Sequence, residues 1–171
     1  EHLFAVVIEG IDFALRLYHF SSFIITAAAG FSLLITVFSI IFMRDKDYAK
    51  PFYCYLLLTI TFVNGAVLSD NLVLLLFFWE GMLLSLFGMI YIGGKNAYKT
   101  AIKSFIIVGI TDLCLMIGIA MTGYLAGTLT ISKISLPLSA AGSAAFTLMM
   151  IGAIAKAGSM PFHSWIPDAA I

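Results

Sequence analysis

Apolar residues run in long blocks along this chain, and polar residues gather in the gaps between them. A helix that crosses a bilayer needs roughly 20 mostly apolar residues. Five stretches meet that length, at about residues 20–43, 51–69, 72–92, 102–125 and 140–160. The gaps hold the residues that end and start helices. Arg44-Asp45-Lys46-Asp47 with Lys50-Pro51 is a charged turn whose proline suits a helix's first turn. Ser69-Asp70-Asn71 is rich in N-cap residues, and Gly93-Gly94-Lys95-Asn96 favours a C-cap. The longest polar connection runs from Thr128 to Ser139 and contains Pro137. Residues 1–19 mix Glu9, Asp12, Arg16 and His19 with apolar neighbours, and suit either the end of a preceding helix or an interfacial segment. The expected architecture is all-α: a polytopic transmembrane helix bundle over residues 20–171, its fifth span followed by a break. No tandem repeat is present, and a chain this short would hold one arm of an inverted repeat.

Composition sharpens that picture. Hydrophobic residues make up 62% of the 171 and charged residues 11%, against about a quarter charged in ordinary soluble domains. A soluble domain of this size has no interior large enough to hide so much apolar surface. Formal net charge is zero, so there is neither a basic footprint for nucleic acid nor an acidic tail. Cys54 and Cys114 lie far apart in apolar runs without metal-like spacing and read as small core residues. The connections at 44–51 and 93–103 hold Arg44, Lys46, Lys50, Lys95, Lys99 and Lys103, whereas those on the other side hold only Arg16 and Lys133. By the positive-inside rule the two richer connections are cytoplasmic, and the N-terminal end of the first span lies outside. The chain begins at Glu1 and stops at Ile171, just after prolines interrupt an apolar run, and reads as a piece of a longer polypeptide or a product of a split gene.

Against this background three charges are costly. Glu80 lies eight residues into the third span, Asp112 ten into the fourth, and Lys156 ten after Phe146 in the fifth. At about 1.5 Å per residue each falls near the middle of a hydrocarbon core about 30 Å thick. A lone charge there costs at least about 2.5–3.5 kcal/mol, and such residues usually face the bundle interior and mark an ion path. Lysine suits proton transfer where arginine does not, because a guanidinium keeps its proton. Burial disfavours the charged amine and a nearby carboxylate favours it, so moving the carboxylate switches the proton. Two plainer readings stand beside this one. Glu80 and Lys156 could form a static pair that only fixes packing, and Asp112 could hydrogen-bond Thr111, a serine or a backbone carbonyl.

The segment from Gly152 to Asp168 adds a helix break. Small residues at 152, 153, 155, 157, 158 and 159 permit close helix approach, and Pro161 and Pro167 then remove backbone donors. Irregular backbone at membrane depth is tolerated where it is buried in protein or lines water. Lys156 before the break is thus placed where water can reach it, and His163 within it is a candidate relay. The plainer alternative is that Pro161 ends the span, leaving His163, Trp165 and Asp168 at the interface.

The run from Ser69-Asp70-Asn71-Leu72 to Phe78-Trp79-Glu80-Gly81, taken with Ala155-Lys156 and Pro161-Phe162-His163-Ser164-Trp165-Ile166-Pro167-Asp168-Ala169, resembles the antiporter-like membrane subunits. These occur in respiratory complex I, Mrp-type cation/proton antiporters and energy-converting membrane-bound hydrogenases. The resemblance covers about residues 19–171, which would be helices three to seven of that fold. It implies that Glu80 is the family's glutamate on the fifth helix and Lys156 its lysine on the discontinuous seventh. Asp112 falls where some members carry an acid on the sixth. It also implies a proton-translocating subunit of a redox-driven pump in a bacterial or archaeal cell (inner) membrane. Its partners would be other membrane subunits, a peripheral redox arm, the lipid bilayer, and protons or sodium ions. With no cysteine cluster, nucleotide fingerprint or haem motif in this sequence, iron–sulfur clusters and other redox centres are expected in partner subunits.

Departures from the family pattern matter too. Lys156-Ala157-Gly158-Ser159 stands where complex I members commonly read Lys-Ser-Ala-Gln, which leans toward the hydrogenase branch. Gly109 stands where some relatives carry arginine, and the second half-channel lies outside this sequence. The competing expectations are an Mrp-type Na+/H+ antiporter subunit and a non-transporting membrane scaffold.

Overall fold

The computed structural model describes residues 2–8, 11–94 and 97–169. Its helices are α1 (His19–Phe42), α2 (Ala49–Leu68), α3 (Leu72–Tyr91), α4 (Ala97–Ala126), α5 (Ala140–Lys156) and the short α6 (Trp165–Ala169). Four of them, α1 to α4, are long and apolar enough to cross a membrane. Local chemistry fixes several ends. The Asn71 side chain caps α3 by accepting from Val73 N at 2.8 Å and Leu74 N at 3.3 Å. Ser139 Oγ does the same for α5, accepting from Gly142 N at 3.2 Å. Each bond satisfies a backbone donor that the first turn leaves without a partner. Pro51 sits in the first turn of α2, as its chemistry favours.

Two parts depart from the sequence reading. The segment before α1 is an antiparallel β-hairpin, β1 (His2–Ile8) with β2 (Ile11–Arg16), and not the end of a helix. Glu9 lies outside the described residues. The hairpin is tied to the α2–α3 connection, where Asp70 N donates to Ala14 O at 2.9 Å. The other correction concerns α5, which ends at Lys156, four residues short of the expected span and before Pro161 is reached. Gly158 stops it. With φ at +70° it takes the left-handed conformation that glycine adopts cheaply. Ser159 N then donates to Ile154 O at 3.2 Å and Gly158 N to Ala155 O at 3.0 Å, the paired bonds of a Schellman cap.

Packing sorts the helices sharply. On α4 the buried residues Ala101, Ser104, Val108, Thr111, Asp112, Leu115, Gly118, Ile119 and Thr122 recur every three or four positions, one face of a helix. Against that face α5 comes close because both sides are small. A Cβ on Gly118 would lie 2.9 Å from Ala145 O, and one on Gly152 would lie 2.7 Å from Leu115 Cβ. Glycine seams of this kind hold helices together where lipid removes the hydrophobic drive. By contrast α1 buries only Ser21 and Ser39, and its Phe23, Phe31, Phe38 and Ile41 are exposed. Cys54 is exposed as well, so it is not the core residue expected of it.

Length explains how the seam ends. Thirty residues make α4 about 45 Å long, whereas the 17 residues of α5 reach only about 26 Å. Running antiparallel, α5 stops level with the middle of α4. The chain turns through a cis Met160–Pro161 bond, and α6 packs on the remaining part of α4. There Trp165 joins Leu83 and Val108 in a buried cluster.

Candidate functional site

Where α5 stops, three helices bring polar groups together. Lys156 is the last residue of α5, and its side chain is only 13% exposed. Its ammonium lies 3.1 Å from Asp112 Oδ2 of α4, a carboxylate whose own side chain is 2% exposed. The ammonium also donates to the backbone oxygen of Trp79 on α3 at 2.8 Å and lies 4.4 Å from the centroid of the same residue's indole. The indole Nε1 in turn donates to Asp112 Oδ1 at 2.9 Å. One tryptophan thus touches both members of the ion pair. Lysine at a helix C-terminus further faces the negative end of the helix dipole.

The expected partner of Lys156 was Glu80; in this structure its ion pair is with Asp112 instead. Among the described residues no ion pair joins Glu80 to Lys156, whose bridge is to Asp112. The reason is rotation about α3. Trp79 and Glu80 are consecutive, so their side chains leave the helix about 100° apart. Trp79 faces the α4–α5 seam, while Glu80 lines a groove of about 540 Å³ with Phe62 of α2 and Leu76, Phe77 and Leu84 of α3. Glu80 Oε1 is buried there without a hydrogen-bond partner. Glu80 still lies within electrostatic range of both Asp112 and Lys156.

Asp112 is also not held by Thr111, the plainer sequence alternative. The Thr111 hydroxyl donates to its own helix, to Val108 O at 2.8 Å and Ile107 O at 3.2 Å. His163 lies in the turn between α5 and α6 with its side chain exposed, and among the described residues no hydrogen bond or ion pair joins its side chain to the Lys156 centre. Its backbone oxygen accepts from Ile166 N at 3.0 Å. A second ion pair lies further along the same seam: Lys103 Nζ of α4 bonds Asp168 Oδ2 of α6 at 2.6 Å and Ser164 O at 3.1 Å.

Trp79 was the residue that sequence reasoning passed over. The available signal was its depth. Tryptophan favours the membrane surface, and one placed mid-helix beside an acid needs a partner for its N–H.

Chemically, the centre is a primary amine at a helix end paired with one buried carboxylate, Asp112, and the next residue along α3 from its Trp79 contact carries a second, Glu80. Among the described residues no group of three His, Cys, Asp or Glu is arranged to hold a metal.

Residues 69–171 match the family described as NADH:quinone oxidoreductase/Mrp antiporter, TM. The chain is 34% identical over 143 residues to Na(+)/H(+) antiporter subunit A1 of Staphylococcus saprophyticus, covering 80% of this chain and 18% of that relative. It is 30% identical over 165 residues to NADH-quinone oxidoreductase subunit L of Mycobacterium tuberculosis, covering 93% and 26%. Its fold superposes with a TM-score of 0.75, at 22% identity, on a chain of the membrane-bound sulfane sulfur reductase, an archaeal respiratory membrane complex. That match covers 99% of this chain and 28% of the other, and at this identity it speaks for the fold alone. The chain therefore spans well under a third of the length of these relatives.

Proposed function

The chain belongs to the NADH:quinone oxidoreductase/Mrp antiporter transmembrane family, and from that premise we propose that it is part of a proton-translocating subunit of a redox-driven ion pump. The observation that carries the reading is Lys156, held at the end of α5 between Asp112 and Trp79 with Glu80 one residue further along α3. The ammonium moves between two positions. Paired with Asp112 it keeps its proton. Drawn toward Glu80 it gives that proton to the carboxylate, leaving a neutral amine and a carboxylic acid within the bundle. Protonation of the amine from the water side resets the pair. Glu80 suits the accepting role because its oxygen has no other partner, and a buried ionised carboxylate without one is costly. The α5 break gives the amine its route to water, with His163 in the exposed turn as a relay.

The remaining parts of the proposal concern surroundings. The connections at 44–51 and 93–103 face the cytoplasm of a bacterial or archaeal cell, and the N-terminal end of α1 faces outward. Other membrane subunits and a peripheral arm carrying iron–sulfur clusters supply the driving reaction. A second reading has its own support: relatives at 34% identity are Na(+)/H(+) antiporter subunits, so transport driven by a sodium gradient alone is the alternative.

The test uses the complete subunit in its native complex, reconstituted in vesicles. Proton movement is followed for wild type, Lys156→Met, Asp112→Asn and Glu80→Gln, with reductant and with a sodium gradient. The pump reading expects reductant-dependent uptake that Lys156→Met abolishes. Transport on the sodium gradient alone would favour the antiporter. Undiminished pumping in all three variants would sink both and leave a scaffold.

A further inference from the structure

We infer that Trp79 is a positioning residue that holds Lys156 against Asp112 and sets the barrier to its movement toward Glu80. This rests on the proton-transfer reading above and adds to it the element that keeps the two positions apart. Three contacts from one residue carry the inference. The indole Nε1 donates to Asp112 Oδ1 at 2.9 Å, which fixes the carboxylate so that its other oxygen faces the ammonium at 3.1 Å. The Trp79 carbonyl accepts from the ammonium at 2.8 Å. The indole lies beside it, its centroid 4.4 Å away, within the range of a cation–π contact. A lysine among these groups has a donor-oriented carboxylate, a carbonyl and an aromatic face on one side, and leaving costs it all three together.

Glu80 follows Trp79 on the same helix, and this adjacency gives the arrangement its second use. The ammonium starts over the Trp79 ring, so it leaves that contact on any movement toward Glu80. A rotation of α3 that withdraws the indole from Asp112 also moves Glu80, so the two changes are coupled by one backbone. Transfer therefore proceeds in discrete steps, each set by whether the indole N–H is engaged. The carbonyl would be there with any residue at position 79, but a tryptophan serving only as packing would not need its N–H directed at Asp112. Phenylalanine is the discriminating substitution, because it keeps an aromatic face and loses the donor.

Two measurements on the complete subunit in its complex test this. The first places 5-fluorotryptophan at position 79 alone and records its fluorine resonance. The resonance is expected to shift when Asp112→Asn is introduced and to stay put with Lys103→Ala. The second compares transport rates in a double-mutant cycle. Trp79→Phe is expected to slow transport roughly tenfold, as loss of one hydrogen bond to a charged group allows. In an Asp112→Asn background the same change is expected to cost less than about twofold, because the charge it served is gone. A resonance that ignores Asp112→Asn overturns the inference, and so do losses that multiply independently. If Trp79→Phe fails to assemble, the fluorine measurement decides alone. A shifted resonance with transport untouched by Lys156→Met would sustain the positioning role and remove the proton-transfer reading on which it was placed.

Discussion

Among the described residues two lysine–aspartate bridges fasten the α5–α6 arm to α4, and they differ in almost everything except chemical type. Lys103–Asp168 is the shorter, at 2.6 Å, with side chains 42% and 44% exposed. Lys156–Asp112 is longer, at 3.1 Å, with side chains 13% and 2% exposed. Distance would rank the first as the stronger. Surroundings reverse that ranking, because exposed pairs contribute about 0.2–1 kcal/mol, while breaking a buried pair by removing one partner costs about 3–5 kcal/mol. The exposed bridge ties α6 to the start of α4, and the buried one stores a charge at the α5 break. On the proposed reading, their difference separates a fastening from a device that can switch.

The largest effect should come from Lys156→Met. It is expected to abolish coupled transport and, by leaving Asp112 uncompensated, to destabilise the subunit by about 3–5 kcal/mol. The double variant Lys156→Met/Asp112→Leu sharpens the contrast. An apolar pair of similar volume should recover most of the stability, read from thermal unfolding in detergent, without recovering transport. If the double variant is no more stable than the single one, the buried bridge is a fastening after all. Next comes Gly152→Val in the α4–α5 seam. The new side chain would collide with Leu115, whose Cβ lies 2.7 Å from where a Cβ would stand. Overpacking of this kind costs about 1–3 kcal/mol, and it should slow transport by displacing Lys156 from Asp112. A variant with normal melting and normal transport would show that the seam does not place the lysine.

Glu80→Gln should follow, slowing transport roughly tenfold with little change in stability. Glutamine keeps the volume in the groove, and Glu80 Oε1 has no hydrogen bond to lose. A large loss of stability here would mean that Glu80 has a structural partner after all, and unchanged transport would leave Asp112 as the sole carboxylate in the exchange.

Depth was legible in the sequence and direction was not. The spans could be read because a bilayer fixes how long an apolar run must be, and Asn71 marked a helix start by its own chemistry. Glu80, Asp112 and Lys156 stood out because charge is costly at mid-depth. Which carboxylate faces the lysine depends on helix rotation and on packing at Gly118 and Gly152, and counting residues does not supply those. Adjacent positions such as Trp79 and Glu80 leave a helix about 100° apart, so one step decides the pairing. The α5 stop was assigned to Pro161, although Gly158 acts first, because proline is the louder breaker in a sequence. At the hairpin, counting charges hid a strand signal in Val6, Val7, Ile8 and Ile11, β-branched residues flanking Gly10.

The smallest effect should belong to the exposed bridge, and it tests the comparison from the other side. Lys103→Ala removes two contacts, to Asp168 Oδ2 and to Ser164 O. In contact with water both partners are resolvated, so the loss should be no more than about 1 kcal/mol. It should shrink further as salt is raised, since ions screen exposed charges over about 8 Å at physiological strength. Transport should be unaltered at every salt concentration. The buried bridge should behave oppositely, with a Lys156→Met defect that salt does not change. A Lys103→Ala variant that loses transport would show that α6 must be held in place for the break to work, and the two bridges would then be one mechanism in two parts.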